Sequence, residues 1–357
     1  MITALLNALI VLPPDSNAGS SRVTTLRFDS RQIVSIDDLP RRGDRVIDRA
    51  GYAVYPGLVN AHDHLEMNHY PRSKFREMYT NAAQWGAEFL TRLDSEPFRT
   101  LRTISLREQC YIGGMKNSQS GVTTVAHHNP LHRPLRDRLL RRADFPVRII
   151  QRYGWAHSFT FERRDLRSTF HQTPPGAPWM MHLAEGTDSA AAEELDRLDQ
   201  LGLLSDHTLL IHGVGLSASD RQRMITVGAG LVWCPSTNFY LLGQTAQVGE
   251  LAAAHLLAIG SDSRLTADGD LLDELRAAHA TGQLTPPQLF RAVTTDAAKL
   301  IGMPRAGSLR PGSLPDFWIT LLTPTIALDP YRALIDLRAA DIESVWIGGR
   351  VQSAAST

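Results

Sequence analysis

The sequence predicts an α/β protein, a distorted TIM-like (β/α) barrel with a small β-sandwich domain built from both chain ends. Three observations predict it. Through the middle of the chain, short apolar runs alternate with amphipathic stretches, the pattern of parallel strands covered by helices. Both ends are rich instead in short β-branched runs broken by turn residues. The side chains with most chemical potential stand where the central runs end, which in a parallel barrel is a single face.

Taken in order, Met1 to Leu12 is an apolar run that stops at Pro13 and Pro14 and has no basic segment before it, so it reads as a first strand and not as a leader. Arg22 to Phe28, Gln32 to Ile36 and Arg45 to Ile47 follow as strands. Asp316 to Leu322 and Ser344 to Ile347 return to the same style, with Gly348-Gly349 as a hairpin turn. Residues 1–55 with 305–357 are therefore expected to form the small domain, and 56–304 the barrel. Barrel strands are expected at Ala53 to Asn60, Gly121 to Ala126, Val147 to Tyr153, Trp179 to Leu183, Thr208 to Ile211, Leu231 to Cys234 and Leu257 to Gly260. An eighth is expected between Ser158 and Pro178, although that stretch is charged and carries Pro174-Pro175. Lys74 to Met115 reads as a helical insertion, a pocket wall or a dimer surface.

Composition excludes several classes of function. The 357 residues hold 37 basic and 37 acidic side chains, so no net field recruits nucleic acid or an anionic membrane, and the expected partner is a small-molecule substrate. The basic run Arg133 to Arg142 reads as a solvated face. Cys110 and Cys234 are too few for a disulfide framework and lack the spacing of a cysteine zinc site, which points to the cytoplasm.

The chemistry begins after the first barrel strand with Pro56-Gly57-Leu58-Val59-Asn60-Ala61-His62-Asp63-His64. Residues two apart on an extended segment share a side, so His62 and His64 can chelate one ion. Later runs end in His182-Leu183-Ala184-Glu185, in His212-Gly213-Val214-Gly215-Leu216-Ser217, and in Asp262 after Ala258-Ile259-Gly260-Ser261. Three imidazoles and a carboxylate suit Zn²⁺, or alternatively Fe²⁺, with a position left for water.

In order and spacing these motifs resemble the amidohydrolase superfamily, in its branch of deaminases, chlorohydrolases and imidazolonepropionases. The Cys234-Pro235-Ser236-Thr237-Asn238 segment and the strand Gly121 to Val125 resemble that branch as well. The resemblance implies a metal held by His62, His64, His182 and Asp262. It further implies Asp262 as the base toward metal-activated water, Glu185 as proton shuttle, and His212 as the group that orients water and stabilises developing charge. Members with two metals bridge them through a carboxylated lysine. The only lysines are Lys74, Lys116 and Lys299, none after a barrel strand, so one divalent metal is expected.

Glu66, His69, His128, Trp155, His157 and Asn238 are the expected substrate-binding residues, Trp155 by stacking on a planar ring. Cys234 reads as buried packing. The expected reaction is hydrolytic deamination of a small cyclic or heterocyclic substrate by attack on a C–N bond. The alternatives are ring opening of a cyclic amide and, more remotely, a silent scaffold. Similar enzymes lead one to expect a homodimer.

Overall fold

A computed structural model describes residues 1–14, 19–136, 145–267 and 269–354. Residues 137–142 of the basic run Arg133 to Arg142 lie outside the described residues.

Strands β1 (Thr3–Val11), β2 (Ser21–Phe28), β3 (Ile33–Ile36), β4 (Arg45–Asp48) and β5 (Tyr52–Pro56) come from the start of the chain. Eight more, β6 (Leu58–Asp63), β7 (Val122–His127), β8 (Arg148–Ile149), β9 (Gly154–Ala156), β10 (Trp179–Leu183), β11 (Thr208–His212), β12 (Gly230–Trp233) and β13 (Leu257–Ile259), occupy the middle. The chain ends with β14 (Phe317–Leu321), β15 (Ile342–Ile347) and β16 (Arg350–Ala354).

The terminal strands hydrogen-bond into one eight-stranded sheet, ordered β16-β15-β14-β5-β1-β2-β3 with β4 beside β1. Its apolar core includes Leu5, Ile10, Phe28, Val54, Phe317 and Trp346. The middle strands form two all-parallel sheets, β6-β7-β8 and β13-β12-β11-β10-β9. They meet at a seam between β6 and β13, where Asp63 bridges to Asp262. Gly260 makes that approach achievable, because a Cβ there would lie 2.6 Å from the Cβ of His62. At the opposite seam no ladder among the described residues joins β8 to β9.

Period-two patterning sorts the middle strands. Met180, Leu209, Ile211, Val232 and Ala258 share one apolar cluster, while Trp179, Met181, Leu210, Leu231, Trp233 and Leu257 belong to another.

The larger departures from expectation lie around β5, β6, β8 and β9. The run Ala53 to Asn60 is two strands in two sheets. It breaks at Gly57, where a Cβ would stand 2.1 Å from Thr123 Oγ1, and where the amide donates to the Asp316 carbonyl at 2.9 Å. The run Val147 to Tyr153 covers β8 and stops just short of β9, so the eighth parallel strand comes from here and not from Ser158 to Pro178. That later stretch holds the helix Leu166–His171, capped by Asp165. The insertion after β6 is helical as expected, with Ala82–Arg92 capped by Asn81 and Leu106–Gln119 opened by a Ser105–Glu108 capping box. Among the described residues no helix is long and apolar enough to cross a membrane.

Candidate metal centre and active site

Four strand ends converge on one point. His62 lies one residue before the end of β6 and His64 just past it, His182 stands one residue before the end of β10 with Glu185 just beyond, His212 ends β11, and Asp262 follows β13. Strict alternation would turn Glu185 and His212 away from the side that His182 faces. Left-handed backbone at Ala184 (φ 54°) and His212 (φ 76°) breaks the alternation, and both side chains line the same cavity. Asp262 is left-handed too, at φ 50°. Such conformations are costly for residues with a Cβ and gather where surrounding structure imposes them. Glu194 helps by accepting the Ala184 amide at 2.6 Å.

The donor atoms are spaced for one ion. His64 Nε2 lies 3.2 Å from His182 Nε2, and Asp262 Oδ1 lies 3.5 Å from His62 Nε2 and 3.6 Å from His64 Nε2. Four ligands placed tetrahedrally at zinc–nitrogen bond lengths stand about 3.3 Å apart. For His182 and His62, hydrogen bonds on the far side of the ring point the free lone pair inward. His182 Nδ1 donates to the His157 carbonyl at 2.9 Å, which leaves Nε2 as an acceptor. His128 Nε2 donates to the Ala156 carbonyl at 2.9 Å, so its Nδ1 accepts from His62 Nδ1 at 3.3 Å. That in turn leaves His62 Nε2 as a lone pair, fully buried and without a hydrogen-bond partner. A buried acceptor with nothing to accept is costly, and a cation among these donors removes the cost. The residues present fit a divalent metal.

Asp262 is anchored through its other oxygen, Oδ2, which accepts from Thr237 and Thr266 hydroxyls at 3.0 Å each. Burial alone would raise its pKa, but the imidazoles of His62, His64 and His212 hold it below the usual carboxylate range. Glu185 moves the opposite way. Burial first, then the carboxylates of Asp262 and Glu194, push it well above the usual carboxylate range. It sits 3.5 Å from His212 Nε2. His212 Nδ1 donates to Asn238 Oδ1 at 2.9 Å and burial lowers its pKa, so Nε2 faces the site as an acceptor.

The cavity holds about 350 Å³. Trp85, Phe89, Leu90, Phe161, Leu241 and Leu265 form much of its wall, and the polar groups gather at its floor.

Of the six residues expected to bind substrate, His157 alone lines this cavity. His128 stands behind His62 and stitches β7 to β9 across the open seam. Asn238 is buried behind His212, donating to Thr245 Oγ1 at 3.1 Å. Trp155 has its face covered by the Arg164 guanidinium, 4.0 Å from the ring centroid. His69 packs on Tyr70 beside a separate surface depression. Glu66 is buried among His127, His132 and Asn129. Sequence reasoning passed over Asn129, Thr237 and Thr266. Asn129 directly follows the His127-His128 pair that ends β7, and Thr237 lies inside the Cys-Pro-x-x-Asn segment, so position offered a signal for both. Cys234 is buried, and burial drives its thiol pKa well up, which makes it packing.

Residues 175–352 match the family described as the amidohydrolase family. Over those residues the chain resembles that family. It is 26% identical to a 5-methylthioadenosine/S-adenosylhomocysteine deaminase of Natronomonas pharaonis over 90% of the chain and 86% of that protein. It is 29% identical to an 8-oxoguanine deaminase of Pseudomonas aeruginosa over 47% of the chain and 42% of that protein. Among solved structures it resembles a zinc-bound adenosine deaminase from Xanthomonas campestris, with a TM-score of 0.77, 20% identity and coverage of 98% and 93% of the two chains. An atrazine chlorohydrolase from Arthrobacter aurescens with zinc gives a TM-score of 0.79 at 18% identity, over 99% and 97%. The chain thus combines a mixed α/β fold of parallel sheets with a cluster of donors for a divalent metal.

Proposed function

We propose that the protein is a hydrolytic deaminase of a small planar amino-heterocycle, using one Zn²⁺ held by His62, His64, His182 and Asp262. The observation that carries this reading is the unpartnered, buried Nε2 of His62, aimed at the same point as the Nε2 atoms of His64 and His182 and Oδ1 of Asp262. The two parallel sheets are then two arcs of one distorted eight-stranded barrel, residues 56–304, with 1–55 and 305–357 as the small domain. A divalent cation there supplies a Lewis acid that makes water nucleophilic near neutral pH.

The chain's own groups account for the protons. His212 Nε2 accepts from the attacking water and orients it, which is the part of its expected role that a neutral ring can perform. Asp262 takes a proton as the C–O bond forms at the amino-bearing carbon. Protonated Glu185 gives its proton to the adjacent ring nitrogen. When the amino group departs it leaves as ammonia, carrying the proton from Asp262, and as the carbonyl forms the remaining hydroxyl proton passes to Glu185, which is thereby restored. The aromatic and aliphatic walls fit a flat ring, and the names of the curated relatives support ammonia as the leaving group.

The test is metal analysis paired with an ammonia-release screen over amino-heterocycles and cyclic amides. His62→Ala should lose one equivalent of metal together with activity, whereas Glu185→Gln should keep the metal and lose turnover by about 10²-fold or more. Turnover without ammonia would replace deamination by ring opening, and full activity in either variant would overturn the assignment.

A further inference from the structure

We propose that Glu66, His127 and His132 form a second divalent transition-metal site, separate from the first. Glu66 lies in the 3-10 turn Leu65–Met67 that follows β6, His127 is the last residue of β7, and His132 stands in the loop beyond it. The three come from segments already held together by the sheet, and one ligand atom from each lies within 4.8 Å of the others.

The arrangement leaves valences unused. Glu66 Oε1 accepts from Asn129 Nδ2 at 2.6 Å and faces His132 Nε2 at 3.3 Å. Glu66 Oε2 has no hydrogen-bond partner, and neither ring nitrogen of His127 has one, although both residues are over nine-tenths buried. Oε2 and His127 Nδ1 are 3.7 Å apart, too far for a hydrogen bond. Among the described residues no lysine or arginine stands within ion-pair distance of Glu66. Several unsatisfied atoms facing one another in a buried place call for something between them.

The chemistry of the donors identifies the class of ion. Two imidazoles and one carboxylate form a set that binds Zn²⁺ and Fe²⁺, with a position left for water, whereas Ca²⁺ and Mg²⁺ prefer more oxygen. The spacings of 3.3 Å from His132 Nε2 to Glu66 Oε1 and 3.7 Å from His127 Nδ1 to Glu66 Oε2 lie at or a little above the roughly 3.3 Å between ligands of a tetrahedral zinc ion. No residue is shared with the first cluster. The sites communicate through Asn129, whose Nδ2 also lies 3.2 Å from His64 Nδ1. An ion here would clamp the loop after β7 to the turn after β6 and so hold the ring of His64 in place.

The experiment strips the full-length protein of metal, reloads it with Zn²⁺ alone, and counts bound ions by mass spectrometry after dialysis. Wild type should hold two equivalents. His132→Gln, chosen because that side chain is 23% exposed and its loss spares the core, should hold one, and Glu66→Gln should behave alike. His62→Ala should also hold one, and combining it with His132→Gln should leave none. Wild-type binding of a single ion that His62→Ala removes, or two ions retained in folded His132→Gln, would overturn the second site. A single ion that His132→Gln removes and His62→Ala spares would support this site and sink the first.

Discussion

From β10 to β13 the five-stranded sheet runs in unbroken register, and its apolar residues alternate cleanly between two clusters. The three-stranded sheet does neither. Its β6–β7 ladder shifts register twice, between Leu58 and Val59 and between Asn60 and Asp63, and its centre is polar. Lys116 Nζ sits 2.9 Å from Asp63 Oδ2, and Asn117 donates to the same oxygen at 2.7 Å. Asn68 Nδ2 reaches Asp63 Oδ1 at 2.7 Å, and Asn60 and Lys116 both donate to Ser261 Oγ, at 2.7 and 3.0 Å. One sheet is held by apolar packing and presents its site residues at strand ends. The other delivers two histidines in three residues, and a buried hydrogen-bonded ion pair holds the irregular strand that does so.

The largest expected effect tests that contrast directly. Lys116 and Asp63 are both almost wholly inaccessible, so Lys116→Met leaves a buried carboxylate without its cation and should cost about 3–5 kcal/mol in denaturant unfolding. Adding Asp63→Asn should restore part of that loss. A cost below about 1 kcal/mol for Lys116→Met would mean the network is incidental and the two sheets are held alike.

The same contrast explains what could be read from the sequence. Trp179–Leu183 stands where its apolar run placed it, β11 and β13 differ from expectation by one residue at one end and β12 by one residue at each end, because a buried parallel strand is an apolar run bounded by turns. β8 and β9 hold two and three residues, too short to show any period, which is why the eighth strand was sought elsewhere. The ligand candidates were legible because each stands at the exit of a run. The role of His128 was not. Its tie to His62 crosses 66 residues of chain and depends on which ring nitrogen carries the proton. A histidine after a strand looks the same in sequence whether it faces substrate or braces another histidine.

The five-stranded side has its own buried charge. Glu274, on the helix Leu271–Ala280, accepts from the Ser236 hydroxyl and from its amide. Burial, with Asp262 adding, outweighs those hydrogen bonds and raises its pKa to about 7 from an ordinary 4.5. Between those values the folded chain keeps a proton that the unfolded chain has released. Stability from this group is therefore full below about pH 4.5 and is lost as pH rises through 7, by on the order of 3 kcal/mol. Thermal unfolding from pH 5 to 8 should show that decline in wild type, and Glu274→Gln should flatten it. An unchanged slope in the variant would assign the decline to other groups.

The smallest effect belongs to the seam where the two sheets meet. Gly260→Ala would set a methyl group 2.6 Å from the Cβ of His62 and 2.9 Å from its backbone nitrogen and oxygen, atoms that cannot rotate away. Overpacking of this kind costs about 1–3 kcal/mol, less than a stranded charge. Its consequence for the site should exceed its consequence for stability. Relief requires β6 and β13 to separate, and His62 and Asp262, whose donor atoms are 3.5 Å apart, ride on opposite sides of that separation. Measured at equal temperature, Gly260→Ala should remain folded while its affinity for Zn²⁺ at the first site falls by at least tenfold. Unaltered affinity would show that the metal-binding geometry is set within each sheet and not by the closeness of the two.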